Sequence, residues 1–134
     1  KTRFGVPEIT LAVIPGSGGT QLLPRLVGLS KAKWMLLSGQ SVKSQEALEM
    51  GLIDRVAAEG NLLKEAMEMG DTVAANGPLA YAAIKQSLRN GMEMPFSEAM
   101  LEESKLFAKL ADTEDKAEGV LAFLEKRKPE FKGK

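Results

Sequence analysis

The sequence predicts a mostly α-helical chain with a short β segment near its N-terminus, and three observations lead there. Large apolar residues alternate with small or polar ones only over residues 8–14; beyond residue 30 they recur at helical spacing; and Pro78, Asn90-Gly91 and Pro95 punctuate that stretch as helix starts and stops.

In Glu8-Ile9-Thr10-Leu11-Ala12-Val13-Ile14 the alternation suits an extended segment with one buried face, ended by Pro15. Pro15-Gly16-Ser17-Gly18-Gly19-Thr20 follows, a loop whose glycines let the backbone bend sharply and approach a ligand. Ser30 then reads as the N-cap of a helix over 31–37 with Gly39 past its end, and Ser44 as the cap of a short helix stopped by Gly51. Leu52 to Val56 lacks a helical stripe and reads as a brief strand. Leu62, Ala66, Met69 and Val73 mark one face of the next helix. Pro78 opens another that runs to about Leu88, and Pro95 opens a third through Ala99, Leu106 and Leu110. Asp112 caps the last, with Ala117, Val120, Leu121 and Leu124 inward, before Pro129. Trp34 and most of the seven methionines fall on apolar faces and read as core. A strand at the front with too few partners implies a sheet whose remaining strands lie elsewhere. The opening Lys1-Thr2-Arg3-Phe4-Gly5, without an initiator methionine, reads as the interior of a longer chain.

Composition narrows the chemistry. The 134 residues are 44% hydrophobic and 27% charged, within the range of one soluble domain. Eighteen basic and eighteen acidic residues cancel, which leaves no electrostatic footprint for nucleic acid or an anionic membrane. Without cysteine there is no thiolate or disulfide chemistry, and without histidine the commonest general base and metal ligand are gone. Glu102-Glu103 and Glu114-Asp115 read as solvated or helix-start charges, and no metal site is expected. With no apolar run of membrane-spanning length and no signal-like opening, a cytoplasmic or organelle-matrix location is expected.

Two glycine-loop readings fail on spacing. A phosphate-binding P-loop needs Gly-Lys-Ser/Thr where this chain has Gly19-Thr20-Gln21, and a dinucleotide fingerprint needs a glycine at Gln21. A plain strand-to-helix turn remains open. Glu8 sits in Gly5-Val6-Pro7-Glu8-Ile9, flanked by apolar Val6 and Ile9. A carboxylate held among apolar groups can act as an acid or base near neutrality, whereas an exposed glutamate at a strand start would do nothing of the kind.

Taken in order, Phe4-Gly5-Val6-Pro7-Glu8-Ile9, Ile14-Pro15-Gly16-Ser17-Gly18-Gly19-Thr20-Gln21, Leu23-Pro24-Arg25-Leu26-Val27-Gly28, Leu37-Ser38-Gly39-Gln40, Glu46-Ala47-Leu48-Glu49-Met50-Gly51-Leu52-Ile53-Asp54-Arg55-Val56 and Phe123-Leu124-Glu125-Lys126-Arg127-Lys128-Pro129 closely resemble the enoyl-CoA hydratase/isomerase (crotonase) family, C-terminal half. The resemblance implies an α/β parent, a crotonase-like ββα spiral. Residues 1–57 would be the end of that core, with the active-site segment and glycine-rich loop, and residues 58–134 a helical C-terminal assembly region. It implies a hydro-lyase that adds water across the double bond of a 2-enoyl-CoA thioester, with Glu8 as acid/base and no cofactor beyond the acyl-CoA substrate. Gly16 would line the pocket. Phe107 would wall the acyl site, although a core aromatic fits its position equally. Lys126 would reach CoA phosphates, although Lys126, Arg127 and Lys128 also suit the C-terminus of a helix without any ligand.

The family's oxyanion hole and its other catalytic glutamate lie upstream of Phe4-Gly5. Loss of one oxyanion donor typically costs about 100- to 1,000-fold in rate, so the isolated chain is expected to be inactive. A double-bond isomerase of the same family is the nearest alternative activity, and a non-catalytic oligomerisation module is the alternative role for the chain alone. The implied partners are the acyl-CoA thioester and like subunits, in a trimer or hexamer.

Overall fold

In the computed structural model, which describes residues 2–134, the elements follow in the order β1 (Arg3–Phe4), a 3-10 turn (Glu8–Leu11), α1 (Gly19–Val27), α2 (Leu29–Ser38), β2 (Val42–Lys43), α3 (Ser44–Glu49), α4 (Leu62–Ala74), α5 (Pro78–Gly91), α6 (Phe96–Leu110) and α7 (Glu114–Glu125). The chain divides into two compact units, Lys1–Leu63 and Lys64–Lys134.

In the first unit β1 pairs antiparallel with β2, Arg3 opposite Lys43 and Phe4 opposite Val42. Arg3 secures the pairing, with Nε donating to Ser41 Oγ at 2.7 Å and Nη2 to the Ser41 carbonyl at 2.8 Å. Leu23, Val27, Ala32, Met35, Val42 and Ala47 form the core, and Phe4, Val6, Leu36, Met50, Leu52 and Ile53 pack against it. Met35, 1% exposed, is the largest side chain fully enclosed. Burial of a side chain of that size contributes roughly 1.5–3 kcal/mol.

Several expectations for this unit are corrected. Residues 8–14 do not extend: Thr10 N–H and Thr10 Oγ1 both donate to the Pro7 carbonyl, and Ala12 N–H donates to Ile9 O. These local bonds close a 3-10 turn ended by Ala12 at φ 58°. Threonine at the alternate position supplied a turn bond rather than a strand face, and Leu11 and Val13 stay exposed. The β segment lies instead at Arg3–Phe4, where two residues carry no readable period. Leu52 to Val56 is no strand, because Leu52 and Ile53 N–H groups turn back to the Ala47 carbonyl at the end of α3. Helix α1 was hidden by Gly19 at its start and Pro24 inside it. Gly28, not Ser30, occupies the cap position of α2, and Lys43, not Ser44, that of α3. Ser44 Oγ donates to the Thr2 carbonyl at 3.1 Å. Trp34 is 61% exposed and so is not core, while its neighbour Met35 is.

In the second unit α5 packs on α6 across the short connection 92–95. Leu106 and Ala122 are its buried apolar residues, and Met67, Met69, Met92 and Met100 are exposed, so the methionines do not fill a core here. Thr113, not Asp112, caps α7: its Oγ1 accepts from Lys116 N–H at 3.1 Å. Asp115, 6% exposed rather than solvated, holds the chain end. Its Oδ1 accepts from Lys132 N–H at 2.6 Å and its Oδ2 from Gly133 N–H at 2.9 Å, while Asp115 N–H donates to the Lys134 carbonyl at 2.9 Å. Phe131 packs over Gly77 and Gly119. Ala117, Val120, Leu121 and Leu124 do not face inward; Leu124 is 70% exposed. The returning segment 127–134 settles on α7 through polar groups and Phe131 rather than through that stripe.

Candidate active site

Glu8 opens the 3-10 turn directly after Pro7, which sits at φ −85° and so starts the turn at little cost. The residue is half-buried, and its Oε2 is enclosed without a hydrogen-bond partner among the described residues. Buried carboxylate oxygens are nearly always paired, so an orphan atom of this kind calls for an explanation. Its backbone is well held, since the Glu8 carbonyl accepts from Val13 N–H at 3.3 Å.

Gly39 supports that turn from beneath. It ends α2 in the left-handed region, φ 65°. A Cβ there would lie 3.0 Å from Ile9 Cγ2, 3.0 Å from Thr10 Cγ2 and 3.7 Å from Pro7 Cα. The conformation favours glycine and a side chain would crowd the methyl groups of Ile9 and Thr10, so the helix end packs closely on the carboxylate-bearing turn. The sequence marked Gly39 as a helix stop only. Its second role, as the seat of Glu8, had no local signal because the contact spans thirty residues.

The glycine loop divides its labour. Gly16 is exposed and a Cβ there would meet nothing within 4 Å. Gly19 is the close-packed member: an added Cβ would stand 2.7 Å from Pro15 Cβ and 3.6 Å from Val6 Cγ1. The loop is thus folded onto Val6, two residues before Glu8, and the same unit carries both Glu8 and Gly16.

Phe107 and Lys126 belong to the second unit. Phe107 is 77% exposed on α6. It borders an apolar hollow of about 640 Å³ together with Leu79, Ala80, Val120, Phe123 and Leu124. Lys126 follows α7 in the left-handed region, φ 55°. Beside it Arg127 grips Glu118 with Nη1 to Oε1 at 2.6 Å and Nη2 to Oε2 at 2.8 Å, and its Nε donates to Glu125 Oε2 at 2.6 Å. The guanidinium bond and a backbone N–H from Glu130 hold the Glu118 carboxyl down at about 2, and the bonds to Glu118 and Glu125 raise Arg127 above its usual value. Sequence inspection singled out Lys126 and passed over Glu118, whose partner lies nine residues away and outside the helix.

Among the described residues no group of three or more carboxylates converges as a metal site, and no helix is long and apolar enough to cross a membrane.

The family model for enoyl-CoA hydratase/isomerase matches residues 1–134. The chain is 46% identical over 132 residues to the 2,3-dehydroadipyl-CoA hydratase of Escherichia coli (strain K12), covering 98% of this chain and 52% of that protein. It is 40% identical over 128 residues to the short-chain-enoyl-CoA hydratase of Clostridium acetobutylicum, covering 96% and 49%. Among solved structures, the enoyl-CoA hydratase from Bacillus anthracis superposes with a TM-score of 0.98 at 38% identity, over 100% of this chain and 52% of that one. The chain spans about half the length of the curated relatives it matches. With the carboxylate turn, the glycine loop and the helical second unit all in place, the chain has the crotonase fold and belongs to the enoyl-CoA hydratase/isomerase family.

Proposed function

We propose that these residues form part of an enoyl-CoA hydratase in which Glu8 is the acid/base group. The observation that carries the reading is the enclosed, unpartnered Oε2 of Glu8, held on a turn that Gly39 and Pro7 fix in place. Hydration of a 2-enoyl thioester adds the oxygen of water to the β-carbon and a proton to the α-carbon. A carboxylate with one free oxygen can take the proton from the water, and its protonated form can return one to the α-carbon. The names of two relatives, at 46% and 40% identity, are those of hydratases, which favours hydration over double-bond migration.

Around that step the other residues take binding roles. Gly16 lines the loop beside the reacting carbons, Phe107 walls the acyl chain, and the Lys126 ammonium meets the phosphates of CoA. The developing enolate oxygen is held by donors in the half of the family's length outside these residues. The exposed apolar faces of α4 to α7 bury against like subunits.

In the full-length protein, Glu8→Gln keeps the shape and removes the ionisable proton. Stopped assays with crotonyl-CoA should show kcat lower by about 100- to 10,000-fold with KM little changed. A variant with the parent kcat would remove Glu8 from the chemistry, and conversion of a 3-enoyl-CoA to the 2-enoyl isomer without hydration would assign the isomerase instead.

A further inference from the structure

Lysine is an unusual occupant of its position. The Lys126 N–H donates to Phe123 O at 3.3 Å and the Arg127 N–H to Ala122 O at 3.0 Å, the paired bonds that end a helix through one left-handed residue. Glycine ordinarily fills that slot, because a side chain there crowds the following carbonyl. Here a long cationic side chain occupies it, and the surroundings hold the strained turn from both sides. Arg127 is clamped to Glu118 and Glu125, the Glu130 N–H donates to Glu118 Oε1 at 2.8 Å, and Asp115 anchors Lys132 and Gly133 beyond it. Glu125 adjoins Lys126 in sequence and would be its natural partner. Arg127 engages that carboxylate and the one on Glu118, and among the described residues no ion pair includes Lys126.

We propose that Glu118 and Arg127 are positioning residues: their forked pair fixes the left-handed turn at Lys126 and draws the neighbouring carboxylates away, leaving the lysine ammonium free for the phosphates of an acyl-CoA. The proposal rests on the reading of Lys126 as a phosphate contact. A guanidinium suits this work because its planar fork takes a carboxylate through two parallel bonds, which a lysine cannot do. The arrangement divides the two cations by duty, one for the protein's own carboxylates and one for the ligand.

The test uses the full-length protein and two unreactive thioesters, butyryl-CoA and butyryl-pantetheine, the second lacking every phosphate. Calorimetry gives the ratio of their dissociation constants, which reports the phosphates and adenosine together, and the part of it lost in Lys126→Gly is the lysine's share. Lys126→Gly preserves the turn and should lower the preference for the CoA ligand about tenfold, the worth of one charge-assisted contact. Glu118→Gln removes a negative charge, so simple electrostatics would raise the preference; a positioning role lowers it, by a similar factor. Arg127→Lys, which keeps the charge and loses the fork, should do the same and decides the matter if Glu118→Gln does not fold. In a Lys126→Gly background neither change should lower the ratio further. An unmoved or increased ratio in Glu118→Gln or Arg127→Lys, an additive loss in the Lys126→Gly background, or no preference for CoA in the parent overturns the proposal. Because the ligands do not react, absence of hydration would sink the acid/base reading of Glu8 and leave this ratio to be judged separately.

Discussion

A glycine thirty-one positions from Glu8 decides how that carboxylate is held. Gly39 combines a left-handed backbone with methyl-sized contacts to Ile9 and Thr10, so Gly39→Ala must both strain the backbone and push the 3-10 turn away. Such strain costs about 1–3 kcal/mol. The expected outcome is a lowered unfolding midpoint together with a lower kcat in the full-length protein, because the turn that moves carries Glu8. A variant that loses stability at unchanged kcat would show that the turn tolerates displacement. The identity of Glu8 as a candidate was legible in Val6-Pro7-Glu8-Ile9, whose apolar flanks and proline are local features. Its support was not, since nothing near Gly39 in sequence announces which segment lies above it.

The last helix and the segment that returns along it form a unit held by polar bonds, and its behaviour with pH follows from Glu118. The carboxyl ionises at about 2 in the folded chain against 4.5 when unconstrained. A depressed carboxyl contributes stability that is fully present above the unfolded value and is lost as pH falls through the folded one. Protection of the Glu130 amide, which donates to Glu118, should therefore be constant well above pH 4.5 and decline from there toward pH 2. Hydrogen exchange with correction for intrinsic rates reads this directly, and Glu118→Gln should abolish the decline. A decline that persists in that variant would assign it to another group. Helix termini show how far sequence reaches at this level. Pro78 and Gly39 were read correctly as punctuation because proline and glycine act through their own backbone. Asp112 and Thr113 are both capable caps, and the choice between them depended on which side chain met the Lys116 N–H.

Both units expose more large apolar surface than an isolated small domain ordinarily does. Leu11, Ile14, Leu22, Leu29, Trp34, Leu62 and Leu63 in the first, and Ile84, Leu88, Phe107 and Phe123 in the second, are all exposed. Exposed apolar side chains in this number are what contact with further chain would cover, and the chain spans about half the length of the curated relatives it matches. The 134 residues alone should therefore self-associate in a concentration-dependent way by sedimentation velocity, and should hydrate crotonyl-CoA no faster than buffer. A monodisperse monomer would count against burial of these faces between subunits, and measurable turnover would show that the oxyanion donors are not needed.

Short-range chemistry left a clear record in the sequence: the helix boundaries set by Gly39 and Pro78, the helical stripe of α4, the proline-fixed carboxylate and the ordered motif blocks that carry the family likeness. Each depends on a residue and its neighbours within a turn or two. The rest came from contacts between distant segments. β1 is two residues long and exists because Val42 and Lys43 lie alongside it; Trp34 is exposed and Met35 enclosed although they adjoin; Glu118 is an ion-pair partner because the chain turns back after Lys126. Pairing, burial and charge partnership are properties of pairs of segments, and a linear pattern records only one member of each pair.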